Sequence, residues 1–282
     1  MALNTLYYDN LRDKEIATAT GTDQMFWLKE QLADNTDRKF IIISHTYGGA
    51  RQKETAMWNT YPNAVYFEIL EHYKDRIIIE FGGSDHLASL RYHTNRDIGD
   101  TTPAVDDDTL YHNMVVVPSI SPWFYNNPAT SVVEIDEHLI PRNMKSTYMN
   151  LRPTIGRHHM TAFHDLEFRD LDYAEDFGIS ELTAVGMDAF RKKLQTNGEL
   201  QQDFMIAKLG FDPSSETERK TAFEILEDQG LVKKLKDNPL TYSAWAQICV
   251  MAKNLTTGQY AACLAKDPNF VGLEHHEAHM LQ

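Results

Sequence analysis

Two histidines stand where an apolar run gives way to a loop. His45 closes the stretch KFIIISH (residues 39–45) ahead of TYGGA, and His86 follows IIIEFGGSD (77–85). β-Branched runs bounded by glycines read as buried strands, and open α/β sheets bind their ligands at the carboxyl ends of strands. Two imidazoles delivered to two such ends could converge on one divalent metal. A metal site would want a second donor two positions before His86, yet that residue is Ser84. The alternative is that His45 caps its strand by bonding a neighbouring carbonyl, and the spacing leaves both readings open.

The elements that must position these residues alternate. ALNTLYY (2–8) reads as a strand, and GTDQMFWLKEQLADN (21–35) as an amphipathic helix with Thr22 or Asp23 as its N-cap. KFIIISH is a buried strand. YPNAVYFEILEHYK (61–74) places Tyr66, Ile69, Leu70 and Tyr73 at helical spacing, and RIIIEF (76–81) is a further strand. This order predicts a layered α/β core. After His86, LASLRYH, HNMVVVPS, TSVVEID and STYMNLRP read as successive strands, with the acidic DTTPAVDDDT as a solvated loop. From about Ile179 the pattern turns helical through SELTAVGMDAFRKKL, ELQQDFMIAKL, ETERKTAFEILEDQ and LTYSAWAQICVMAKN. The expected organisation is an α/β unit over 1–178 and a helical region over 179–282.

A length of 282 residues, 42% hydrophobic and 24% charged, suffices for a sizeable core. A formal charge of -14, spread along the chain, argues against nucleic acid and against anionic membrane surfaces. No run approaches the ~20 apolar residues of a membrane helix. The N-terminus lacks the basic start and apolar core of a signal peptide. It opens directly on a strand-like stretch, so further sequence is expected upstream.

Cys249 and Cys263 are the two cysteines, and they read either as unrelated buried thiols or as a bridge closing a short loop in an oxidising compartment. Asn254, in NLT, lies between them and fits the N-glycosylation pattern. His275, His276 and His279 cluster in the tail without an acidic or cysteine scaffold, which favours a solvated segment over a metal site.

Taken in order, LNTLYYDN with GTDQMFWLKEQL, SHTYGG, FGGSDHLASLRYH, VPSISPWFYNNPATSVVEID, TYMNL and ICVMAKNLTTGQYAACL resemble the C-terminal part of calcineurin-like metallophosphoesterases. The acid-sphingomyelinase-like branch is the nearest. The resemblance implies a partial metallophosphoesterase-type β-sandwich flanked by helices, with a helical C-terminal region. It implies two-metal phosphoester hydrolysis, in which paired cations clamp the phosphate and generate a hydroxide. It also implies that His45 binds one metal, that His86 is the second histidine of Gly-His-x-His, and that Ser84 stands where that motif has its first histidine. Cys249–Cys263 stands where the branch has a disulfide.

Serine is a weak neutral donor beside imidazole, and Asp85, pointing away along an extended loop, is not expected to substitute. The family's Gly-Asp-x-x-Asp and Gly-Asn-His-Glu motifs do not occur in this sequence, and its Asp-x-His string, Asp136-Glu137-His138, lies too late to supply the first motif. The expectation is a degenerate, catalytically inactive relic serving as a structural or accessory subunit. It would hold no cofactor, or one weakly bound divalent metal, and a protein partner would cover the open N-terminal half of its sheet. Nucleic acid and a transmembrane segment are not expected. The compartment is expected to be oxidising and non-cytosolic, whether secretory, lysosomal or organellar. The alternative is the C-terminal part of an active, sphingomyelinase-like phosphodiesterase, completed by a missing N-terminal half and carrying a zinc pair.

Overall fold

The isoleucine runs become the centre of a four-stranded sheet. β1 (Phe40–Ile43) pairs in parallel with β2 (Ile77–Gly82), and β2 pairs in parallel with β4 (Leu110–Val116). β3 (Ser89–Thr94) closes the far edge antiparallel to β4, giving the order β1-β2-β4-β3. Every residue of β4 is buried, as expected of a strand whose two faces are both covered. The computed structural model describes residues 1–9, 14–49, 57–94, 110–123, 125–151, 166–228 and 251.

One face is covered by α1 (Lys14–Asp34) and α2 (Thr60–His72). Leu28 and Leu32 of α1 and Tyr66 and Leu70 of α2 share a buried cluster with Ile42, Met114 and Val116 of the sheet. The opposite face lies against a second, antiparallel sheet, β5 (Ala129–Ile135), β6 (Pro141–Asn150) and β7 (Glu167–Asp172). A turn at 136–140 joins β5 to β6. There the Asp136 carboxylate accepts the backbone N–H of His138 and of Ile140, each at 2.9 Å, and Nε of Arg142 at 2.8 Å.

α3 (Tyr173–Phe177), α4 (Ala184–Thr196), α5 (Gly198–Lys208) and α6 (Glu216–Asp228) follow. Met187, Phe190 and Leu194 of α4 and Phe204 and Ala207 of α5 enter one core with Ile79, Leu90, Val115, Met144 and Leu171 from the two sheets. α4 is tied to β3 by a buried polar contact: Tyr92 donates to Asp188 at 2.5 Å and accepts Nε of Arg191 at 2.7 Å. The described residues thus form a mixed α/β structure with two sheets and six α-helices.

Three local expectations need correction. Residues 2–8 form no strand: Ala2 alone bridges Ile43, and Thr5–Tyr7 curl into a 3-10 turn. α1 begins at Lys14 and runs through Gly21, so Thr22 and Asp23 are interior rather than caps. β7 and α3 occupy a stretch in which no element was expected. The loop DTTPAVDDDT (100–109) lies outside the described residues, and β4 begins at Leu110. Of LTYSAWAQICVMAKN only Met251 is described, buried in the core with α4 and α5. Cys249, Cys263, Asn254, His275, His276 and His279 also lie outside the described residues. No described helix is long and apolar enough to cross a membrane.

Candidate functional site

Parallel pairing of β1 with β2 brings both histidine-bearing loops to one edge of the sheet. The pairing persists beyond the strands: Ser44 N–H donates to Phe81 O at 2.8 Å, and Gly83 N–H to His45 O at 2.9 Å. His45 is exposed, and a methyl group at Gly83 would sit 3.4 Å from its Nδ1. The loops carrying His45 and His86 therefore abut. Asp85 N–H bonds back to Gly83 O at 3.0 Å, closing a tight turn in which Ser84 (φ 73) and His86 (φ 63) both adopt left-handed backbone. Two non-glycine residues held there within three positions cost on the order of 1 kcal/mol each. A third loop joins them, since Ser119 N–H donates to His86 O at 3.0 Å.

Asp85 is engaged by side chains from other elements. Its Oδ2 accepts the Tyr47 hydroxyl and lies 3.5 Å from Arg91 Nη2. The same Nη2 donates to the Tyr47 oxygen at 2.7 Å, and the guanidinium stacks 4.1 Å over the Tyr47 ring. Arg91, from β3, is 1% exposed. Lys208, the last residue of α5, is buried in the same electrostatic neighbourhood. Burial lowers its ammonium to about 7, the Arg91 charge adds to that effect, and Asp85 partly opposes it.

Beneath the strand-end loops lies a second polar cluster. Glu80, buried within the apolar run of β2, accepts Ser44 Oγ at 2.6 Å and the Tyr66 hydroxyl at 2.9 Å. His112 Nε2 approaches its Oε2 to 2.7 Å. This is a close contact without hydrogen-bond alignment, and Nδ1 of His112 has no hydrogen-bond partner. The β3–β4 ladder shifts register beside Tyr92 and His93, where Tyr92 faces Asn113 and His93 faces Tyr111. His112 is the extra residue of that bulge, with φ 52, which aims its ring at Glu80. Burial alone pushes the Glu80 carboxyl up, but His112, Ser44 and Tyr66 together hold it below its ordinary value. Tyr66 is driven well up by burial and by the adjacent carboxylate.

The strand-end loops thus contribute the imidazoles of His45 and His86 and the hydroxyl of Ser84, while their one carboxylate is committed to Tyr47 and Arg91. Among the described residues no group of three or more His, Cys, Asp or Glu is placed to hold a metal. Neutral imidazoles and an alcohol bring no negative charge to offset the desolvation of two dications. This donor set does not fit a metal pair.

Sequence reasoning passed over Tyr47, Arg91, Lys208, Glu80 and His112. Glu80 within IIIEFG and Lys208 within MIAKLGF were visible signals, each a lone charge in an apolar run. The role of His112 depends on a bulge and left no local trace. The chain matches no protein-family model and no curated protein sequence.

Proposed function

We propose that this chain is a degenerate, catalytically inactive metallophosphoesterase-like protein that serves as a structural or accessory subunit of a larger assembly. The observation carrying this reading is the fate of the FGGSDH turn. Ser84 stands at the position the resemblance gives to a metal-binding histidine, and neighbouring Asp85 is turned to a buried arginine and a tyrosine. A turn once suited to charge-bearing ligands is instead locked by a cation, which disfavours a dication nearby. At most one ion, weakly held by His45 and His86, is expected.

A protein partner is proposed at the β1 edge of the sheet. Among the described residues that edge meets only the short segment 1–3, whose Met1 and Leu3 bond Ile41 and Ile43, and Ile43 remains 53% exposed. The oxidising compartment remains proposed through a Cys249–Cys263 bridge. Closing so short a loop is worth roughly 3 kcal/mol in the chain-entropy view.

Metal analysis alongside hydrolysis of bis-nitrophenyl phosphate tests the reading. No turnover and less than one ion per chain are expected, and Ser84→His should leave turnover absent. Two ions per chain, with turnover abolished by His86→Ala, would overturn it. Turnover gained on adding a second chain would instead make this an enzyme subunit.

A further inference from the structure

We propose that the groove between α1 and α2 is a binding site for a flat, ring-bearing, largely apolar small molecule carrying at most one charge. The groove has a volume of about 820 Å³, within the roughly 300–1,000 Å³ of small-molecule sites. It runs along one face of each helix and is lined by Met25 of α1 and by Val65 and Ile69 of α2. Helix-to-sheet packing does not account for its rim: Phe26 is 62% and Tyr61 71% exposed. Large aromatics left in water on both lips of a concave apolar groove mark surface that a ligand would cover.

The floor is built rather than incidental. Tyr8, 1% exposed, lies flat against Gly21, whose missing side chain makes the room: a Cβ there would fall 2.7 Å from the ring. The Tyr8 hydroxyl donates to Gly21 O at 2.9 Å and accepts Gln24 Nε2 at 2.8 Å. Gln24 in turn binds the backbone of Asn4, through Oε1 at 2.8 Å and Nε2 at 3.2 Å. Burial pushes the Tyr8 phenol up to about 12, so this end presents a neutral aromatic surface.

Charge restricts the ligand further. Among the described residues, the groove's ionisable lining beyond its phenols is Lys29, Glu68 and His72. One cation, one carboxylate and one imidazole do not match a polyphosphate, whose several charges call for clustered cations. They suit a neutral or singly charged ring system, for which Phe26, Tyr61 and Tyr73 offer aromatic surface.

The test uses the full 282-residue chain and the dye 8-anilinonaphthalene-1-sulfonate, a ring system with one charge. Saturable binding of one dye per chain is expected. Val65→Trp, which fills the groove, and Tyr61→Ala, which removes an exposed lip without touching the core, should each weaken it by about tenfold. Should Val65→Trp fail to fold, Tyr61→Ala decides alone. Affinities within about twofold of wild type in the folded variants would overturn the proposal. So would unsaturable binding, or binding abolished by Trp123→Ser, an exposed residue outside the groove.

Discussion

Glu80 and His112 meet 2.7 Å apart in the interior, one from the middle of a parallel strand and the other from a bulge in its neighbour. The pair links β2 to β4, and Ser44 and Tyr66 extend the link to β1 and α2. Removing one partner strands the other in the core.

Glu80→Gln is expected to destabilise the fold by about 3 kcal/mol, because Ser44, Tyr66 and His112 then share a buried neutral amide in place of the carboxylate. The folded carboxyl sits below its ordinary value of 4.5, so its stabilisation is complete above that pH and disappears as pH falls toward the folded value. Urea midpoints should therefore decline below pH 4.5 more steeply for wild type than for the variant. Parallel declines would count against the pairing.

Lys208 predicts the opposite slope. Its folded value of about 7 lies below the ordinary 10.5, so the unfolded chain holds a proton that the folded chain sheds between those values. Stability rises with pH through that window. Lys208→Met should be the more stable protein at pH 7 by a few kcal/mol, on the order allowed by such a shift, and the gap should close by about pH 10. A gap independent of pH would show that the ammonium carries no burial penalty.

Gly21→Ala tests the seat of Tyr8. In an exposed helix this change gains about 1 kcal/mol. Here the new Cβ would meet the Tyr8 ring at 2.7 Å, and overpacking of that kind costs about 1–3 kcal/mol. A net loss in thermal midpoint is expected, and a gain would show that Tyr8 yields freely.

The stretches most legible in the sequence were those whose pattern and burial agree. RIIIEF and YPNAVYFEILEHYK gave β2 and α2 nearly to the residue, because apolar spacing there matches the faces they bury. Gly21 misled: it read as a helix boundary, whereas it lies inside α1 to admit the ring of Tyr8, 13 residues earlier, a tertiary demand invisible to local pattern. β7 was missed because most of EFRDLD faces solvent, and only Leu171 of that strand is buried. At the strand ends, His45 and His86 were legible from their glycines and isoleucines. The clamp on Asp85 was not, because Tyr47 reaches it from 38 residues away and Arg91 meets it only through the fold of the intervening turn.

The Asp136 turn bears on the order in which the molecule assembles. Its carboxylate secures a connection of a few residues, so β5 and β6 can zip together while the rest of the chain is still searching, on the scale of microseconds. Phe40 must find Ile77, and Glu80 must find Met114, across intervening segments before the parallel sheet exists. Such closures come late and slowly. The two sheets therefore run on different clocks, with the small antiparallel ribbon as the early scaffold against which the larger sheet condenses.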